Sequence, residues 1–117
     1  MIMTFNDQLL NAISDWSKDP IEDEWLFENF RERFVNRMST VEAFEAIGAT
    51  VDVLLGQSDE SNAIEVAQTL IALARRSNTT EIPARLLEQK MAIVSHFSKF
   101  GDYAKNKQQE IFDYYRL

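Results

Sequence analysis

The chain has no cysteine in its 117 residues. Disulfides, thiolate metal ligands and a cysteine nucleophile are therefore excluded. Glycine and proline are scarce, at three and two residues. So few turn-formers argue against a turn-rich β chain and favour long helices with short connections. No apolar run approaches the roughly 18 residues of a membrane span. The opening MIMTFNDQLL has neither a basic segment nor a long apolar stretch, so no signal peptide is expected. The matching expectation is a cytoplasmic protein with no membrane attachment. Histidine occurs once, as His96. Alone it makes neither a zinc site nor a Ser–His catalytic arrangement. There is no glycine-rich phosphate loop. No cofactor and no metal are expected, and the chain reads as a binding protein, not an enzyme.

What remains is enough for one domain, residues 1–117. Apolar residues make up 45% of the chain, and a chain of this size hides roughly two-thirds of its extended surface. The net charge is −7, unevenly spread: residues 1–65 hold 14 acids and 4 bases, net −10, and residues 66–117 hold 5 acids and 8 bases, net +3. An acidic half is the wrong sign for direct nucleic-acid binding. It suits a basic protein partner, because complementary charge speeds encounter. Plain solubility is the alternative account of the same surface.

The stretch IEVAQTLIALA, residues 64–74, organises the reading. At about 100° per residue its apolar positions cover a wide arc. Only Glu65, Gln68, Thr69 and Ala72 fall on the far side. Such a helix is buried on two sides, so the others should pack around it.

Six helices are expected. The first spans Phe5 to Trp16, capped by Thr4, with Phe5, Leu9, Ala12, Ile13 and Trp16 on one face; Ser17-Lys18 breaks it. The second starts at Asp19-Pro20, where Asp caps and Pro is pre-shaped. Its stripe is Phe27, Phe30, Phe34 and Met38. Asp19, Glu22, Asp23 and Glu24 lack the pattern of a calcium loop, and an acidic helix start accounts for them. The third opens with a capping box, Ser39 and Glu42, carries Phe44, Ile47, Gly48, Val51 and Leu55 inward, and stops at Gly56. Gly48 suggests close approach of a neighbouring helix that a side chain would block. Ser58 should cap the central fourth helix, and Asn78 suits a left-handed exit after Arg75 and Arg76. The fifth begins at Pro83, with Leu86, Leu87, Ile93, Val94 and Phe97 on one face; Lys90 lies within that face, snorkelling outward or meeting an acid. The sixth follows Phe100-Gly101-Asp102, with Tyr103, Ala104, Ile111, Tyr114 and Tyr115 inward. No segment alternates like a strand. The fold class is all-α, with antiparallel hairpins forming a HEAT-like or irregular helical bundle and no sheet.

Candidate contacts follow from helical geometry and charge. Trp25 points away from its helix's stripe, among Glu22, Glu28, Asn29 and Glu32. An aromatic ringed by acids is a candidate hot spot, unless another helix covers it. Glu42 and Glu45 lie on the outer side of the third helix, and Asp59 and Glu60 at the start of the fourth.

The run AQTLIALARRSNTTEIPARLLE, followed by HFSKFGDYAKNKQQEIFDYYR, resembles small α-helical immunity proteins of bacterial toxin–immunity systems, including those of contact-dependent growth inhibition. The resemblance covers about residues 63–116 and rests on a Leu/Ala-rich helix, the NTTEIP connector and an aromatic helix ending in YYR. It implies a protein, monomeric when free, that binds and neutralises a cognate toxin domain. A basic nuclease is the expected target, covered by the acidic surface; the resemblance assigns no contact residues. The alternative is a helical adaptor or subunit of a larger assembly, pairing through Phe112, Tyr114 and Tyr115.

Overall fold

A computed structural model describes residues 5–18 and 26–117, without the side chains of residues 6, 15–18 and 26–27. The apolar arc of residues 63–74 lies in α4, Glu60–Ser77. Around it are α1 (Phe5–Lys18), α2 (Leu26–Phe30), a π turn (Arg31–Val35), α3 (Thr40–Leu55), α5 (Ala84–Glu88), α6 (Lys90–Phe97) and α7 (Asp102–Tyr115). No strand occurs among the described residues. No helix among them is long and apolar enough to cross a membrane. Thr4, Asp19, Pro20, Glu22, Asp23, Glu24 and Trp25, and the side chains of Trp16 and Phe27, lie outside the described residues.

Helix α4 pairs with α3 as an antiparallel hairpin and is flanked by α7 and the π turn. Ala63, Val66, Ala67, Leu70, Leu73 and Ala74 are buried, as the arc predicts. Thr69 is buried as well, although periodicity put it on the far side. It shares a stripe with Glu65 and Arg76, and both reach the 31–38 segment. Arg31 Nη1 pairs with Glu65 at 3.1 Å, and Arg76 Nε donates to the Met38 carbonyl at 2.7 Å. The 31–38 segment therefore covers the flank that looked solvent-facing. The Thr69 hydroxyl stays satisfied inside by donating to the Glu65 carbonyl at 2.9 Å.

The π turn explains a second difference. Asn36 N–H donates to the Arg31 carbonyl, five residues back, at 3.2 Å. Five α-helical steps of about 100° would leave residues 30 and 35 roughly 140° apart. The wider turn brings them onto one side, and both Phe30 and Val35 are buried. Val35 is thus core, whereas Phe34 and Met38 of the expected stripe are only half-buried.

Helix α3 opens with the capping box: Ser39 Oγ accepts from Glu42 N at 3.1 Å, and Ser39 N donates to Glu42 Oε1 at 3.0 Å. Its buried face is Ala43, Ile47, Thr50, Val51, Val53 and Leu54. That face is rotated from the predicted stripe because α1 packs on α3 in addition to α4. Gly48 does not mark a contact that a side chain would block. A Cβ there would lie 3.5 Å from Arg85 Cβ, an ordinary van der Waals distance. Gly56 ends the helix right-handed, at φ −82°. The cap of α4 is Asp59, not Ser58, its carboxylate accepting from Asn62 N at 3.0 Å. Asn78 exits α4 left-handed at φ 55°, as expected.

The expected fifth helix is two. Gln89, at φ −99° and ψ 10°, separates α5 from α6. Leu86, Ile93 and Phe97 are buried, but Leu87 is 54% exposed because the break turns it outward. Lys90 Nζ lies 5.9 Å over the Phe112 ring. On α7, Ala104, Ile111, Phe112 and Tyr115 face inward and Tyr103 is exposed. α7 packs more extensively on α4 than on α6, so the bundle is irregular. Two ties hold the α3–α4 turn to the α6–α7 region: Gly101 N–H donates to Glu60 Oε1 at 2.8 Å, and His96 Nε2–H donates to the Gln57 carbonyl at 2.6 Å.

Candidate partner-binding surface

The predicted contact residues do not converge. Glu28, Asn29 and Glu32 lie on α2 and the π turn, all exposed. Glu42 and Glu45 lie on the first turns of α3, whereas Asp59 and Glu60 follow its far end. The two sets thus lie near opposite ends of a helix of 16 residues, about 24 Å long.

Three of these carboxylates already serve the fold. Glu42 closes the capping box, and the Ser39 N–H, then its hydroxyl, hold its pKa below the ordinary glutamate value. Asp59 caps α4. Glu60 holds the Gly101 amide. Glu28, Glu32 and Glu45 have no ion-pair or hydrogen-bond partner among the described residues.

The concavities differ in charge. A pocket of about 530 Å³ beside the π turn places Glu32 with Asn29, Arg33, Asn36 and Arg37, so that glutamate sits among cations. A cleft of about 240 Å³ between the π turn, α4 and α7 is lined by Arg31, Arg75 and Lys107 together with Glu110. There Arg31 is neutralised by Glu65 and Lys107 by Glu110, at 3.1 and 3.5 Å. A groove of about 350 Å³ is walled on one side by Thr40, Val41, Phe44 and Glu45 of α3. Ser77, Thr79 and Glu81 form the other side. No cationic side chain lines it.

This groove exists because α3 and α4 are antiparallel. The start of α3 lies beside the end of α4, and the chain leaves α4 left-handed at Asn78 before turning to Pro83. The connector is held in place: Tyr114 Oη donates to the carbonyls of Ala74 and Thr79 at 2.9 and 3.1 Å, and Glu81 N–H donates to Thr79 Oγ1 at 3.1 Å. Further along α3, Arg85 Nη2 meets Asp52 Oδ1 at 2.7 Å and closes that side. The Asp52 hydrogen bond and charge raise the Arg85 pKa above its ordinary value.

Of the predicted residues, the groove contains only Glu45. Helical geometry overlooked Val41, which is 63% exposed, and Glu81, which lies in the connector. The signal for Val41 was its place outside the apolar stripe, one turn before Glu45. Nothing local marked Glu81. The face suggested for subunit pairing is largely interior, with Phe112 and Tyr115 buried and Tyr114 hydrogen-bonded. No three His, Cys, Asp or Glu side chains among the described residues are placed to hold a metal ion. No protein-family model, curated protein or solved structure matches the chain.

Proposed function

We propose that the chain is an immunity protein, which binds one basic toxin domain and neutralises it by covering its charged surface. The observation that carries this reading is the set of exposed carboxylates Glu28, Glu32 and Glu45, unpartnered among the described residues, on a chain of net charge −7. Carboxylates that the fold does not use favour a cationic partner and speed its approach. The resemblance of residues 63–116 to immunity proteins supports the same reading and supplies the class of partner. The acidic half accounts for the sign of the charge on that partner. Binding by occlusion needs no catalytic group on this chain.

The test begins with capture. The tagged chain is mixed with host lysate at moderate salt, and the retained protein is identified and expressed with and without the chain. The expected result is a one-to-one complex with a small basic domain, toxic alone and harmless in the complex. Association should slow with added salt. It should also slow roughly tenfold when Glu28, Glu32 and Glu45 are together changed to Gln. Absence of a basic toxic partner, or an association rate indifferent to salt and to the three changes, refutes the proposal.

A further inference from the structure

We propose that the groove between the start of α3 and the 78–83 connector is a socket for one arginine side chain of the protein partner. The identity of that partner rests on the immunity reading; the chemistry of the socket does not. Val41 and Phe44 offer apolar surface to an aliphatic stem. Phe44 adds an aromatic ring that a planar guanidinium can stack against. Glu45 and Glu81 stand on opposite walls, and neither carboxylate has a partner among the described residues. Two separated acceptors suit the forked donors of arginine better than the single point charge of lysine. The two other concavities described above are lined by cationic side chains; no cationic side chain lines this one.

The test uses blocked single amino acids. N-acetyl-arginine amide, its citrulline analogue and its lysine analogue are each titrated into the full chain, followed by backbone amide NMR. Arginine amide should give saturable shifts confined to residues 40–45 and 77–82. The uncharged citrulline compound should bind at least tenfold more weakly, and lysine severalfold more weakly. Glu45→Gln with Glu81→Gln should weaken arginine binding at least fivefold, whereas Glu110→Gln, on α7 and outside the groove, leaves it unchanged. Shifts scattered over the surface, or equal binding of citrulline or lysine, overturn the assignment. The two proposals fail separately. A chain that binds arginine amide here but neutralises no toxin refutes the immunity reading alone. One that neutralises a toxin with affinity unchanged in the double variant refutes the socket alone.

Discussion

Replacing Tyr114 and Tyr115 by phenylalanine, one at a time, removes two hydroxyls of opposite worth. Tyr114 Oη donates toward the carbonyls of Ala74 and Thr79, at 2.9 and 3.1 Å. One proton is shared between them, so Tyr114→Phe loses about one net hydrogen bond and destabilises by about 1 kcal/mol. The Tyr115 side chain is 3% exposed, and its hydroxyl is buried without a hydrogen-bond partner among the described residues. An unsatisfied buried group costs about 1–3 kcal/mol. Removing it while keeping the ring should stabilise by about 1 kcal/mol, the low end of that range. The variants should differ by about 2 kcal/mol, or roughly 6–8 °C in Tm for a chain of this size. Urea unfolding followed by far-UV circular dichroism reads the difference as a shift in midpoint at constant slope. Alkaline titration gives a second readout. Burial, and then the neighbouring Tyr114, push the Tyr115 phenol above its ordinary range. Its contribution is complete below the unfolded value of about 10 and is lost as pH rises toward the folded value. Tyr115→Phe should therefore flatten the loss of stability above about pH 10. If Tyr115→Phe destabilises as much as Tyr114→Phe, its hydroxyl is satisfied and the reasoning fails.

Gly48→Ala should stabilise the protein. The new Cβ meets Arg85 Cβ at 3.5 Å and Cγ at 4.0 Å without a clash, so the helix-propensity gain of about 1 kcal/mol stands; a lower thermal midpoint would refute it. Glu42 should make the protein acid-sensitive, because Ser39 holds its carboxyl below the ordinary value. That contribution is present above about pH 4.3, the unfolded value, and fades as pH falls through the lower folded value. Carboxyl NMR should find Glu42 titrating low in the parent chain and only part of the way back toward the ordinary value in Ser39→Ala, which loses the hydroxyl but keeps the backbone N–H.

The all-α class and the central helix were legible because periodicity over residues 63–74 is a local property, and the capping box and the Asn78 exit are local signatures too. Errors arose where a neighbour decided the outcome. Thr69 looked exposed until the 31–38 segment was placed over it. The break at Gln89 carries no glycine or proline to announce it. Ser58 and Asp59 are both competent caps, and the backbone chose the second. The candidate surface was less legible still. Asp59 and Glu60 looked like spare charge, but a cap and a tertiary hydrogen bond use them, and Glu42 reads both as a contact and as half of the capping box that holds it. Glu81 joins Glu45 only because two distant stretches meet at one end of a hairpin.

The π turn at Arg31–Val35 has a consequence for chain length. A ring closed over five residues instead of four contains one residue more than an α turn. Shortening the segment by a single residue would restore ordinary winding without lengthening any loop. The two buried residues, Phe30 and Val35, would then stand four steps apart, about 40° at ordinary winding, and would still share the core. Related chains one residue shorter here could therefore keep the same apolar contacts on α4, so this turn is a place where the flank absorbs a change of one residue in length.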